Sequence, residues 1–320
     1  MDIPDIDSSK WSTDPRKYGM SPREYIRSET HAFFHDFLGR SGLNKFYHFK
    51  GLTKAADRWV VSPNNDTIYS IVVVNASQGF KLKLPEVGKR FISTQIITEN
   101  HMTPSYVYGG GVRKFSAEDF DTKFVGVGVR IGTTGTPEDV KTIVEKLQPQ
   151  YAIEGAATDG SLPKVDMATL PKVRAALIKE YSKLPNSFDT MVKHTKDVKD
   201  WERFTYVTAG AWGLSADENA MYAIGGPQNA EGGTCYKATF PKVPAKAFFS
   251  IHRLRAREIL DDRRAQHRQP ESRRQDEQGR QLRCSLRRRK VQQACPQLRS
   301  NAGKWLELSP ACLPPGRRGL

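Results

Sequence analysis

Five short segments between residues 67 and 131 constrain the fold most strongly. Each is rich in β-branched or aromatic residues and is bounded by Gly, Pro or Asn: "TIYSIVVV", "GFKLKLP", "RFISTQII", "SYVYGGG" and "KFVGVGVRI". Such segments are typical of strands joined by tight turns. "GFKLKL" alternates apolar and basic residues, so we expect one face of that strand to be exposed to solvent.

Helical patterns stand before and after this block of strands. Residues 21–39 are predicted to form a helix that Ser21 caps and Gly39 ends, with Pro22 in its first turn. Further helices are predicted over 137–147, 169–183 and 187–197, followed by a turn and short helix in "GAWGLSADENAMYAI" and by strands in "GTCYKATF" and "AKAFFSIH". The order predicts a β-rich α+β fold: antiparallel, sandwich-like sheets, an N-terminal helix and a helical insertion.

These patterns divide the chain into five predicted parts. They are an N-terminal extension (1–20), a β-rich domain (21–135), a helical connecting segment (136–200), the start of a second β domain (201–252) and a tail (253–320).

The tail differs sharply in composition from the rest of the chain. It holds 16 Arg, 2 Lys and 7 acidic residues, whereas the first 252 residues hold 10 Arg, 22 Lys and 28 acidic residues. Most of the net charge of +15 therefore lies in the tail. With no Phe, Tyr, Thr or Met, the tail buries too little to offset its chain entropy, and we expect it to be disordered.

Cysteine spacing and hydropathy exclude several classes of protein. Three of the four cysteines lie in the tail without a Cys-x-x-Cys pair, and Cys235 stands apart from them, so neither a zinc site nor a disulfide framework is predicted. No apolar run is long enough to span a membrane, and the acidic "MDIPDIDSSKW" start lacks the features of a signal peptide. We expect a cytoplasmic protein with no membrane association. The cofactor and the oligomeric state are not indicated.

Two polar clusters supply the candidate site residues. In "SPNNDTIYS" a turn delivers Thr67 and Tyr69 onto one face of the next strand. In "TENHMTPSYVYGGG" a carboxylate and an imidazole lie two residues apart, as do two tyrosines. These patterns predict Asp66, Glu99 and His101 as acid–base or metal-binding groups, with Asn65, Thr67, Tyr69 and Tyr108 contacting a ligand. Well-made turns and structural side chains explain the same residues equally simply.

Other motifs are weaker or missing. His31 and His35 lie four residues apart on the predicted first helix, a spacing that suits two metal ligands, although packed histidines produce it as well. A Gly-x-Ser-x-Gly elbow, a phosphate loop and a dinucleotide fingerprint are all missing from the sequence.

The polar clusters resemble a known pair of families. "KFYHFK", "DRWVVSPNNDTIYS" and "ENHMTPSYVYGGG" are similar to motifs of the domain of unknown function DUF 1254, while "AWGLSADENAMY" and "FPKVPAKAFFSIH" resemble the opening of its usual partner, DUF 1214. The matching positions are Phe46, His48, Asn64, Asp66, Thr67, Tyr69, Ser70, Asn100 and His101. The resemblance covers about residues 22–251, and Met102 stands where the family often has Tyr. It implies β-sandwich domains, many of them exported, of unsettled activity. Some members are labelled carboxylesterase-like, although the missing serine elbow gives that label no support here.

The resemblance stops at His252, which suggests a change of reading frame. Codons for residues 252–320 can be chosen so that reading from the second base gives one uninterrupted product, which contains "GWNFLLRAYRP". That segment resembles the closing strand of DUF 1214. We therefore predict that the basic tail is an out-of-frame product rather than a nucleic-acid-binding arm.

Three hypotheses about function follow. The first is a hydrolase or lyase that acts on a small or carbohydrate-like ligand in a polar cleft. The second is a non-catalytic β-sandwich module that binds such a ligand. The third, which the frameshift disfavours, is nucleic-acid binding through the arginine-rich tail.

Overall fold

The computed structural model describes residues 2–53, 64 and 66–222, and the backbone of 236–238 and 306–308. The chain divides into two units, one comprising 1–53 and 64–223 and the other 54–63 and 224–320. In the second unit, strands β9 (Tyr236–Ala238) and β10 (Leu306–Leu308) pair in antiparallel fashion. The predicted strand "AKAFFSIH" lies outside the described residues.

The first unit is built on two antiparallel sheets, as predicted. Its strands are β1 (Tyr47–His48), β2 (Thr67–Asn75), β3 (Phe80–Leu84), β4 (Ile92–Thr98), β5 (Ser105–Tyr108), β6 (Gly111–Phe115), β7 (Phe124–Gly132) and β8 (Ala152–Glu154). The larger sheet has the order β1-β2-β7-β4-β5, and the smaller has the order β6-β3-β8. All five segments that the sequence singled out contain a strand.

The burial patterns of β2 and β3 show how the sheets are covered. All nine residues of β2 are buried, so the larger sheet is covered on both faces. In β3, Phe80, Leu82 and Leu84 are buried while Lys81 and Lys83 are exposed, which confirms the predicted solvent-facing side.

Four α-helices complete the first unit: α1 (Pro22–Ser41), α2 (Pro137–Thr142), α3 (Leu170–Tyr181) and α4 (Trp201–Ala211). Ser21 caps α1 and forms a reciprocal capping box with Glu24. Phe34 of α1 lies so close to Gly126 of β7 that a β-carbon there would stand 2.6 Å from its ring. Helix α1 therefore covers one face of the larger sheet, which we call the helix face.

The opposite face is covered by the segment after α2. That helix passes into a π-helical turn over Ile143–Leu147 and a 3₁₀ turn over Gln148–Gln150. The Gln148 side-chain amide donates a 2.9 Å hydrogen bond to the Phe49 carbonyl and a 3.4 Å one to Ser70 Oγ, on the face opposite α1.

The structure corrects three of the predictions about helices. Helix α1 runs past Gly39 to Ser41, and Gly42 ends it with a φ of 83°. The helix predicted over 187–197 is reduced to a 3₁₀ turn at Thr195–Asp197. Helix α4 was not predicted because "FTYVT" within it is rich in β-formers; its buried Phe204 and Val207 show that packing overrides that preference.

None of the helices in the described part of the chain is long and apolar enough to span a membrane.

Candidate functional site

A row of polar side chains crosses the helix face of the larger sheet beyond the end of α1. Arg130 of β7 lies opposite Tyr69 of β2 on one side and opposite Ser93 of β4 on the other, and Ser93 lies opposite Tyr108 of β5. Residues directly opposite each other in a sheet project to the same face, so the four side chains form one line across four strands. We call these residues, together with Tyr106, the Arg130 cluster.

Hydrogen bonds hold the guanidinium of Arg130 in place. Its Nη2 donates to the Tyr106 hydroxyl, and its Nε donates to Ser93 Oγ at 3.3 Å. The Tyr106 hydroxyl also donates to Ser93 Oγ, at 3.3 Å. Ser93 Oγ thus accepts two hydrogen bonds, and no described residue accepts one from its hydroxyl proton or from Arg130 Nη1.

Aromatic rings surround this cation. The Arg130 guanidinium carbon lies 6.0 Å from the centre of the Phe91 ring and 5.8 Å from that of Tyr106. The rings of Tyr106 and Tyr108, two residues apart on β5, share a face of the sheet with their centres 5.2 Å apart. Burial raises the pKa of both Tyr69 and Tyr108, so both phenols stay protonated at neutral pH and can donate hydrogen bonds.

The segment after α4 crosses the same face of the sheet. Gln95 of β4 holds this segment against the sheet through two hydrogen bonds. Its Nε2 donates to the Leu214 carbonyl at 3.0 Å, and its Oε1 accepts from the Ser215 hydroxyl at 3.1 Å. The Tyr108 hydroxyl donates to Asn219 at 3.4 Å. Tyr222, which is 44% exposed, follows at the end of this segment. Burial acts to lower the pKa of Arg130, but Tyr106 and then Tyr222 act to raise it, and the net direction is upward.

The turn before β2 positions Thr67 and Tyr69 as predicted. The Asn64 side-chain oxygen accepts hydrogen bonds from the backbone N–H groups of Asp66 and Thr67 and from the Thr67 hydroxyl, and this arrangement fixes the start of the strand. Thr67 is buried. Asn65 lies outside the described residues.

Glu99 pairs with a histidine, but not with the one two residues away. Its Oε2 lies 2.7 Å from Nε2 of His31 on α1, and its Oε1 accepts a 3.0 Å bond from the Phe124 N–H. Burial acts to raise the pKa of Glu99, but these two hydrogen bonds outweigh it, so the pKa is lowered. The pair is almost completely buried and joins α1 to the end of β4.

His101 occupies a separate, fully bonded position. The chain turns after β4, and His101 has a φ of 62°, so Glu99 and His101 do not share a strand face. Thr208 donates its hydroxyl proton to the Phe204 carbonyl, so its Oγ1 accepts from His101 Nδ1 at 3.0 Å. Nε2 accepts from the Gly213 N–H at 2.9 Å. The ring is 1% exposed, and these bonds fix it as the neutral Nδ1-protonated tautomer.

The two histidines of α1 bind different partners. While His31 contacts Glu99, His35 Nε2 donates to the Pro163 carbonyl at 2.8 Å. No group of three or more potential metal ligands converges among the described residues.

Two other motif residues do meet. His48 Nδ1 lies 2.8 Å from Ser70 Oγ across β1 and β2. Burial, with a smaller effect of Lys50, lowers the pKa of His48 to about 4, so this imidazole is neutral near pH 7.

Arg130 is the member of the site that sequence reasoning missed. The segment "KFVGVGVRI" was predicted only as a strand, yet Arg130 is the one charged residue in a nine-residue strand. That contrast was the available signal, because a charge in the centre of a sheet requires partners.

Part of this site lies in a segment that is similar to a described family. Residues 43–114 match the sequence model of a family described as "Protein of unknown function (DUF1254)". The matched range includes Tyr69, Ser93, Tyr106 and Tyr108 but ends before Arg130. Among solved structures, the VPA0106 protein from Vibrio parahaemolyticus is similar, with 15% identity, a TM-score of 0.45, and coverage of 63% of this chain and 67% of that one. No curated protein matches.

Proposed function

We propose that this chain is a small-molecule-binding protein whose Arg130 cluster binds the anionic group of its ligand. The observation that supports this is a half-buried guanidinium with no carboxylate within ion-pair distance among the described residues. Taking a cation out of water without a counter-charge is costly. A bound anion would supply that charge.

Other partly or fully buried arginines of the first unit differ from Arg130 in how their N–H groups are bonded. Arg174 and Arg90 each donate two hydrogen bonds to one carboxylate, Glu29 and Asp139 respectively. Arg203 has no carboxylate either, but its donors are taken up by oxygens of the 186–190 loop. Arg130 combines a missing counter-ion with an Nη1 that has no acceptor among the described residues.

The site suits binding better than catalysis. Burial raises the pKa of the Tyr69 and Tyr108 phenols. The predicted groups Glu99 and His101 lie in hydrogen-bond networks of their own. The proposal therefore favours the non-catalytic module, with Tyr69 and Tyr108 in the ligand-contacting roles predicted for them. The acid–base role of Asp66, Glu99 and His101 stays a prediction.

A screen of small acids tests this proposal. Ligand-observed NMR with the full chain should show binding of carboxylic acids that is lost in Arg130→Gln. The control is Arg23→Gln, which removes the same charge from the first turn of α1, outside the cluster. Equal binding by wild type and Arg130→Gln would refute the proposal.

We further infer that residues 201–252 begin a DUF 1214-like domain and that the sequence after His252 results from a frameshift. Support comes from the change from lysine to arginine and from the uninterrupted alternative product. Sequencing genomic DNA and transcript across the codons for Phe249 to Leu260 should reveal one inserted or deleted base. If the present frame is confirmed in both, the frameshift is refuted and nucleic-acid binding by the tail becomes the hypothesis to test.

A further inference from the structure

The Arg130 cluster indicates the chemical class of the ligand as well as the sign of the ligand's charge. This inference rests on the proposed function and concerns the same site. Three features of the cluster bear on the ligand: its net charge, the shape of its donors and the nature of its walls.

The charge of the cluster matches a monoanion. Arg130 is its one formal positive charge, and its other hydrogen-bonding members are hydroxyl groups. Glu218 forms a 3.2 Å ion pair with Lys193, so this pair adds no net charge. A phosphate monoester carries a charge of about −1.5 to −2 at neutral pH, which a single guanidinium does not balance.

The donors suit a planar acceptor. A guanidinium presents its N–H groups in a flat fork that fits the two oxygens of a carboxylate. Nε and Nη2 of Arg130 donate to Ser93 and Tyr106 along one edge of the group, which fixes its plane. The other edge, formed by Nη1 and the second N–H of Nη2, presents the fork to a carboxylate.

The aromatic side chains that line the cluster suit a ligand whose non-anionic part is apolar or aromatic. Phe91 and Tyr108 meet edge to face at 6.1 Å, next to the Tyr106 ring. Tyr108 remains 46% exposed. Burying such apolar surfaces under an aromatic ring of the ligand stabilises the complex.

We propose that the ligand of Arg130 is a monocarboxylate with an aromatic or other apolar ring as its body, and that the site discriminates against phosphate monoesters. The carboxylate contacts Arg130, and the ring lies against Tyr108.

Calorimetric titration of the full chain with benzoate, acetate and phenyl phosphate tests this assignment. Benzoate should bind about tenfold more tightly than acetate, because it buries a phenyl ring. It should also bind about tenfold more tightly than phenyl phosphate, which carries the same ring on a dianion. If phenyl phosphate binds as tightly as benzoate, the carboxylate assignment is wrong while anion binding stands. If none of the three binds, both this inference and the proposed function are refuted.

A matched pair of tyrosine variants tests the position of the ring. Tyr108→Ala should weaken benzoate binding about tenfold and leave acetate binding unchanged, because only benzoate has a ring to lose contact. Tyr18, which is 45% exposed and lies in the N-terminal 3₁₀ turn, provides the control Tyr18→Ala. An equal loss of benzoate and acetate affinity in Tyr108→Ala, or no loss of either, would overturn the inference that the ring of the ligand lies against Tyr108.

Discussion

Two glycines of β7 allow the packing of α1 on the sheet to be tested with a single methyl group. Gly126 and Gly128 lie two residues apart in the same strand and therefore face the same way. A β-carbon at Gly126 would stand 2.6 Å from Phe34 Cε1, whereas one at Gly128 would stand 3.6 Å from Ile71 Cδ1, an ordinary van der Waals distance. The two Ala variants should thus have opposite effects.

The expected magnitudes follow from these distances. Replacing Gly by Ala in an extended strand gains about 0.5–1 kcal/mol through the lower entropy of the unfolded chain. At Gly126 the Phe34 ring, which is fully buried, must move by about an ångström, and overpacking of this kind costs about 1–3 kcal/mol. Gly128→Ala should be neutral or stabilising, and Gly126→Ala should be less stable than it by about 2 kcal/mol.

Urea unfolding followed by far-UV circular dichroism measures this difference as a shift in midpoint at constant slope. A second variant, Phe34→Leu, removes the ring edge, so Gly126→Ala should cost less in that background than in the wild type. Equal midpoints for the two Ala variants, with no rescue by Phe34→Leu, would refute the packing of α1 on this face.

Three further predictions concern buried polar groups. Arg174→Met should lower the free energy of unfolding by about 3–5 kcal/mol, because Glu29 is left buried without its bidentate partner; adding Glu29→Gln should restore much of it in urea titrations. His101→Ala should lower the thermal midpoint by removing two buried hydrogen bonds, yet leave benzoate affinity unchanged; loss of affinity without loss of stability would instead favour the predicted catalytic or ligand role. Hydrogen bonds from Arg90 lower the pKa of Asp139 in the folded state. The Asp139 carboxylate therefore stabilises the fold fully at pH values above its unfolded pKa of about 4. That contribution is lost as the pH falls through the lower pKa of the folded state. Thermal melts should therefore show a shallower acid destabilisation in Asp139→Asn than in the wild type, and identical profiles would contradict the assignment.

Local sequence patterns were sufficient for most of the fold. Five of the six strands from Thr67 to Gly132, together with the Ser21-capped helix, follow from periodicity, turn residues and capping, which act over a few residues. Strand β6 was not predicted. Helix α4 was missed since its identity depends on burial of Phe204 and Val207 rather than on propensity.

The candidate site was only partly predictable, for a related reason. Tyr69 and Tyr108 were identified from their own motifs, but their alignment with Arg130 depends on strand order and register, which no local pattern reveals. The same limit explains why Glu99 was expected beside His101. Its actual partner, His31, is 68 residues away along the chain.

The most direct test of anion binding is the side-chain N–H resonance of Arg130. In ¹⁵N-labelled full-length protein, the Arg130 Nε–H signal is assigned by its disappearance in Arg130→Gln and is then followed during addition of benzoate. Our account predicts a saturable shift of this signal, while the Nε–H signal of Arg174, which is already paired with Glu29, stays in place. An Arg130 signal that does not move, or that moves no more than that of Arg174, would contradict the account.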